Sequence, residues 1–244
     1  MKSDKANNIK MKNKTLDFYQ VYYEEEHRKE LYDFVIPYFN NKLTPYFENS
    51  AIQSLVVNSK ADFISVASWK LRRKRNSMPA IQVLKGDASI LSKKFILSKD
   101  FDIAILTPRI TGHKTLFMSQ HWHGQTWIES FSALSSFLKS KLKIKVPLEL
   151  KYAIYENHFI AKRDIYREYV LSCLTPVMEH MKENKLIFEA PSGYRTHKER
   201  IGDFVSIEKY EEVTKLKDWP IGAFLLERLF SIWIDSRNYA VVNI

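Results

Sequence analysis

The sequence holds a single cysteine, Cys173, among 244 residues, so neither an internal disulfide nor a cysteine-rich zinc site can form, and a reducing compartment such as the cytoplasm suits it. In its apolar helical surroundings Cys173 reads as a small buried side chain. Glycine and proline are scarce, at 6 and 8, and no unit of about 20 to 50 residues recurs, which excludes collagen-like arrays, solenoids and low-complexity linkers. Long apolar runs are missing too. A membrane-spanning helix needs roughly 18 uninterrupted apolar residues, yet even Leu225-Leu226-Glu227-Arg228-Leu229 carries charge. The opening stretch Met1 to Lys14 has no apolar segment of the kind a translocation signal requires. It places Lys2, Lys5, Lys10, Lys12 and Lys14 among Asn and Ser, and reads as a frayed basic tail ahead of one domain over 15–244.

What is present is enough for one substantial core: 45% of residues are hydrophobic and 14% aromatic. Lys and Arg number 38 against 28 Asp and Glu, a formal net charge of +10. Partners are therefore to be sought among anions, namely nucleotide diphosphates, nucleic acid or an anionic membrane surface. The densest basic run in the body is Lys70-Leu71-Arg72-Arg73-Lys74-Arg75, which is either a solvated loop or a phosphate clamp. No helix-turn-helix, zinc-finger or RRM-like motif accompanies the charge, so it does not by itself make a nucleic-acid-binding protein.

Apolar patterning gives an alternation of strands and helices. Asp17 to Tyr23 and Ala61 to Ser68 read as strands rich in aromatic and β-branched residues, and Phe101 to Thr107 as an inner strand stopped by Pro108. Pro37 and Pro45 with Asn40-Asn41 mark a loop, after which Asn49-Ser50 caps a helix over 51–57; Ala80 to Leu84 reads as a further short helix. Spacings of three and four from Trp127 through Phe131, Leu134, Phe137 and Leu138 predict a helix over 125–142. A weakly alternating strand is expected over Leu148 to Tyr155, with Phe159-Ile160 completing a strand or hairpin around Glu156-Asn157-His158. Asp164 then caps a helix with the stripe Ile165, Tyr169, Cys173 and Val177, kinked or ended by Pro176, and Ile221 to Asp235 forms the last helix. This order predicts an α/β fold, a mainly parallel, Rossmann-like sheet flanked by helices in a single domain.

Three segments carry a family resemblance. They are Phe18-Tyr-Gln-Val-Tyr-Tyr23 with Ile36-Pro-Tyr-Phe-Asn40, then Ala61-Asp-Phe-Ile-Ser-Val-Ala-Ser-Trp-Lys-Leu-Arg-Arg-Lys74, and the pair Asn157 to Tyr169 and Ile221 to Trp233. Together they resemble the glycosyltransferase-like proteins of bacterial capsular and surface-polysaccharide gene clusters, relatives of the nucleotide-sugar-binding GT-A superfamily. The resemblance implies a GT-A-like fold and transfer of a sugar from a nucleotide-sugar donor to a saccharide or lipid-linked acceptor. It also implies a cytoplasmic protein, compatible with peripheral association at the inner membrane face through the lysine-rich tail. Two alternatives stand beside it: a non-catalytic sugar- or nucleotide-binding protein on the same fold, and a basic nucleic-acid-binding protein.

Under the enzyme reading, Tyr19, Gln20 and Val21 receive the nucleotide base, and Lys70, Arg72 and Arg73 at a strand end hold the diphosphate, since guanidinium groups match phosphate oxygens bidentately. Glu227 is the candidate general base, or else half of a structural ion pair with an arginine such as Arg163 or Arg167; being adjacent on a helix, Glu227 and Arg228 need not pair with each other. Arg228 and Asn157 are acceptor-side candidates. On a strand, His121 and His123 would share a face, lining an acceptor pocket where Trp122 and Trp127 stack on sugar, or, with His113, resembling a metal constellation. Many GT-A enzymes hold Mn or Mg with an Asp-x-Asp pair, but the pair here, Asp100-Phe101-Asp102, precedes its strand and so stands at the wrong end of the sheet. No metal ligand is assigned and the cofactor stays open.

Overall fold

The computed structural model describes residues 14–41, 44–72, 91–107, 120–154, 157–192 and 207–244, with the backbone alone for 120–123 and 207–210. Its strands are β1 (Leu16–Tyr22), β2 (Ile36–Phe39), β3 (Phe63–Ser68), β4 (Ile103–Ile105), β5 (Phe159–Lys162) and β6 (Val241–Asn243), joined in one six-stranded sheet of order β2-β1-β3-β5-β4-β6. Its helices are α1 (Asn49–Asn58), α2 (Lys93–Leu97), α3 (Gln120–Ser140), α4 (Arg163–Tyr169), α5 (Thr175–Glu183), α6 (Lys185–Phe188), α7 (Ile207–Thr214) and α8 (Ile221–Asp235). The expected helix at 80–84 lies outside the described residues.

The strands expected at Asp17 to Tyr23, Ala61 to Ser68, Phe101 to Thr107 and Phe159-Ile160 lie where β1, β3, β4 and β5 form, and β3 is buried along its whole length, as befits an inner strand. β1 pairs in parallel with β2 and β3, and β4 with β6, but β5 runs antiparallel to both β3 and β4. The sheet is therefore mixed, with β5 the one reversed strand. Its direction follows from how the chain reaches it. After α3 the segment 141–154 climbs beside α8: Lys151 N donates to Asp235 Oδ1 at 2.8 Å, and Ile154 N to Ser231 Oγ at 2.9 Å. It thus delivers the chain at the end of the sheet where β1 and β3 finish. The same bonds correct the strand expected over Leu148 to Tyr155, because the Ser231 hydroxyl also donates to Ile154 O at 3.1 Å and so satisfies backbone groups that a ladder would otherwise pair.

Other boundaries shift for local reasons. Pro37 lies within β2, not in a loop, and it is tolerated because β2 is an edge strand. Residues 25–30 form a 3-10 turn. The α1 cap position is Glu48; Asn49 Nδ2 instead donates to Tyr46 O at 3.1 Å, and Ser50 Oγ to Phe47 O at 2.7 Å. Asp164 stands in the first turn of α4, not at its cap, which is Lys162.

Pro176 does not end the helix. α4 continues through a π-helical turn, Val170–Leu174, into α5. The wide turn accommodates a proline that has no N–H to donate and whose ring would strike the preceding turn of a regular helix. The buried stripe accordingly runs through Tyr166, Tyr169, Cys173 and Val177, with Ile165 only partly buried. Helix α8 is buried nearly all round. Phe230 stacks on Phe159 of β5 with ring centroids 3.8 Å apart, Tyr169 meets it edge-on at 4.9 Å, and Trp233 lies 5.4 Å from Tyr169. These rings tie the reversed strand to both helices across the middle of the core.

Candidate functional site

Strands β2 and β3 flank β1 on opposite sides, so the connections after β1 and β3 leave in different directions, and a crevice outside the carboxyl ends of such strands is where open α/β sheets bind ligands. The neighbouring junction opens as well. The β3–β5 ladder stops after Ile64↔Ala161, and from there the Ser65 hydroxyl donates to Phe159 O at 2.7 Å in place of a backbone bond. Around this carboxyl edge lie many of the buried polar side chains: Gln20, His27, Asn40, Glu48, Asn49, Ser68, Thr107, Asn157 and His158. Burying polar groups is costly unless they are hydrogen-bonded, so their concentration at one edge needs an account.

On the β1–β3 side the cluster is a brace. Gln20 Oε1 accepts from Tyr32 N at 2.8 Å and Gln20 Nε2 donates to Ser68 O at 3.3 Å, fastening the 3-10 segment to β3. His27 stacks on Trp69 with centroids 3.9 Å apart and 5° between planes. Lys70 Nζ lies 5.6 Å from the Trp69 ring centroid. The exposed Arg72 lies 5.7 Å above the Tyr32 ring and donates to Leu31 O at 3.4 Å. Two cations are thereby held at the end of a parallel strand by aromatic faces, an arrangement suited to anionic oxygens.

Towards β5 the cluster centres on a buried carboxylate. Tyr23 Oη donates to Glu48 Oε2 at 3.3 Å, and burial, with the Glu48 charge adding to it, pushes the Tyr23 phenol well up. Burial and then Glu48 also raise the Tyr166 phenol. Asn157, held at φ 55°, a left-handed conformation that asparagine tolerates, donates from Nδ2 to Asn49 Oδ1 at 3.2 Å. Thr107 Oγ1 is 3.3 Å from His158 Nδ1. None of Tyr23, Asn40, Glu48, Asn49, Thr107 and His158 was singled out from sequence. The signal was there in their positions, with Tyr23 and Asn40 directly after β1 and β2, and His158 directly before β5.

The residues read from sequence divide. Gln20, Lys70, Arg72 and Asn157 meet at this edge, while Val21 is wholly in the core and Tyr19 is part-buried beside Asp17, its phenol raised by burial first and then by that carboxylate. Asn157 reaches α8 through Asn49 and Tyr46, whose ring would lie 3.5 Å from a Cβ added at Gly222 in the first turn of that helix. Glu227 and Arg228 approach one another, at 3.6 Å, a pairing that adjacency on the helix permits without requiring; the Arg228 guanidinium lies 4.8 Å above Trp127 and donates to Phe224 O at 2.6 Å. Arg163 and Arg167 are not the partners shown for Glu227: Arg163 pairs with its neighbour Asp164 at 3.2 Å. The backbone at 121–123 is helical, which corrects the strand geometry that put His121 and His123 on one face; the side chains of His121, Trp122 and His123, and all of Arg73 and His113, lie outside the described residues.

The Asp-x-Asp pair does not suit a metal. Asp102 Oδ1 takes Lys162 Nζ at 2.7 Å and Oδ2 takes Ala240 N at 2.8 Å, so this carboxylate fastens β4 to β5 and to the lead-in of β6. The Lys162 hydrogen bond is the main reason its carboxyl is held below the usual value. Asp100 is exposed, 3.9 Å from Lys14 Nζ, at the opposite edge from the polar cluster. Among the described residues no group of three or more His, Cys, Asp or Glu is placed to hold a metal ion, and no helix is long and apolar enough to cross a membrane. Compared with protein-family models, curated proteins and solved structures, the chain shows no match.

Proposed function

We propose that the protein binds a nucleotide-sugar donor at the carboxyl edge of the sheet and transfers its sugar to a saccharide or lipid-linked acceptor, as a GT-A-like enzyme of surface-polysaccharide synthesis. The observation that carries this reading is the presence, at the carboxyl edge where the connections after β1 and β3 leave in different directions, of two cations, Lys70 and Arg72, and of a buried polar cluster around the Glu48 carboxylate. The cations supply what a leaving diphosphate needs: as the bond from the anomeric carbon to the diphosphate oxygen breaks, that oxygen keeps the electron pair, and fixed positive charge stabilises it. In an inverting transfer the acceptor hydroxyl attacks that carbon and yields its proton to a carboxylate. Glu227 is one candidate for this base. Its pairing with Arg228 favours instead a role in fixing that guanidinium over Trp127, and Glu48 becomes the stronger candidate because it lies within the polar cluster.

A second reading, a non-catalytic nucleotide- or sugar-binding protein on the same fold, is favoured by the structural engagement of Asp102. The two are separated by incubating the protein with nucleotide sugars and candidate acceptors, with and without Mn²⁺, and measuring nucleoside diphosphate release. Release that falls at least about a hundredfold in Glu48→Gln with donor affinity kept supports transfer with Glu48 as base. Donor binding without release by the unaltered protein supports the second reading.

A further inference from the structure

Away from the polar cluster, the end of α3 and the segment after it form a lysine-rich surface that the proposed reaction does not use. The helix closes on a turn in which Lys141 N donates to Phe137 O at 2.9 Å and Ile144 N reaches back to Leu138 O at 2.9 Å, with Ile144 buried beneath it. The left-handed position of this turn, where glycine is usual, is occupied by Lys143 at φ 58°. Lys139, Lys141, Lys143, Lys145 and Lys151 are all exposed, and among the described residues none of them forms an ion pair; Lys143 Nζ donates to Ser140 O at 2.8 Å. Lysines near a helix carboxyl end complement its dipole, which accounts for Lys139, Lys141 and Lys143 at the end of α3 and for Lys151 beside the end of α8, but not for Lys145. Nor does the dipole account for Leu148, whose side chain stands 78% exposed among them, next to the part-buried Val146 and Pro147. The acids in and beside this surface are Glu149, exposed in the same segment, Asp235, which accepts from Lys151 N, and Glu179 and Glu183, exposed on α5, whose His180 stacks on Phe137 of α3.

We infer that this surface docks the protein on an anionic phospholipid bilayer, with Leu148 entering the headgroup boundary and the surrounding lysines resting on lipid phosphates. The mixture of side chains decides for a bilayer over nucleic acid. The segment 139–151 contains no arginine and no aromatic residue, the side chains that read grooves and stack on bases. Lysines with apolar stems around a protruding leucine are what an interface between water and hydrocarbon accommodates. Lysine near such a surface contributes additively and is screened by salt. The surface lies beside Asp235, where α8 ends and the chain turns toward β6, the end of the sheet opposite the polar cluster, so docking leaves the carboxyl edge open to soluble ligands. The basic tail ahead of β1 adds charge but is not needed for this contact, and the inference is independent of glycosyl transfer.

The test is sedimentation of the full chain with vesicles of one part phosphatidylglycerol to two parts phosphatidylcholine, against pure phosphatidylcholine. Binding to the anionic vesicles alone, weakened by salt, is expected. It should fall at least about tenfold in the variant carrying Lys139→Gln, Lys141→Gln, Lys145→Gln and Lys151→Gln, and should weaken in Leu148→Ser, with circular dichroism unchanged in both. A variant with Lys2, Lys5, Lys10 and Lys12 changed to Gln should keep most of the binding. Absence of vesicle binding, equal binding by the four-lysine variant, or loss through the tail variant alone would overturn the inference. So would unaltered binding by Leu148→Ser, and so would a short RNA that shifts in a gel and depends on the same lysines while vesicles do not bind.

Discussion

Gly222 shows how little slack the site-facing end of α8 has. A Cβ there would stand 2.8 Å from Phe188 O, a backbone atom that can retreat only by moving the end of α6. Gly222→Ala is expected to cost about 1–3 kcal/mol, the range for overpacking, read as a lower urea midpoint with an unchanged slope. Buried acids make a second prediction at this scale. Burial pushes the Cys173 thiol and the Tyr46 phenol each up to about 12, and raises Tyr23 and Tyr169 as well. Each ionises in the unfolded chain at a lower pH than in the native one, so the native state holds the extra protons at alkaline pH. Stability should be flat with respect to these groups near neutrality and fall as pH rises above about 9, first through the thiol and then the phenols. Urea midpoints across that range check this, together with Cys173 staying unreactive to thiol reagents until the protein unfolds.

At the scale of elements, the segment 141–154 is held by side chains where a strand would be held by a ladder. Ser231→Ala removes the one hydroxyl that serves both backbone groups of Ile154, and leaving buried groups unpaired is expected to cost about 1–3 kcal/mol, measured by denaturant unfolding and by faster hydrogen exchange at Ile154. Lys143→Gly should act in the other direction, stabilising by about 0.5–1 kcal/mol, because glycine takes the left-handed conformation without a Cβ penalty. Both effects depend on tertiary contacts, which is why periodicity misled here. The alternation in Leu148 to Tyr155 is real in the sequence, but a serine on another helix decides where its backbone bonds go. Where an element is held by its own apolar pattern, as in β1, β3, β4, β5 and α8, the sequence located it; where it hangs on one partner strand at the sheet edge, as in β2 and β6, it did not. Pro176 misled differently, since a π turn absorbs what a regular helix could not.

For the whole molecule, the alternation of strands and helices was legible and the reversal of β5 was not, because strand direction is set by how segment 141–154 travels along α8. The site was legible in part. Lys70 and Arg72 stood out as charge at a strand end, and Asn157 by resemblance, whereas Glu48 and Tyr23 find each other only once α1 packs beside the end of β1. Glu227, the sharpest choice from sequence, proves to be engaged with its own neighbour. The central claim, a nucleotide-sugar site at the carboxyl edge, is tested most directly by titrating a panel of nucleotide sugars by calorimetry into the unaltered protein and into the variant Lys70→Glu, Arg72→Glu. The account predicts saturable binding of one nucleotide class by the unaltered protein. It also predicts at least about tenfold weaker binding by the variant, with only a small change in melting temperature, since Arg72 is exposed and Lys70 half-buried, and surface charges contribute little to stability. No binding across the panel, or equal binding by the variant, would contradict it.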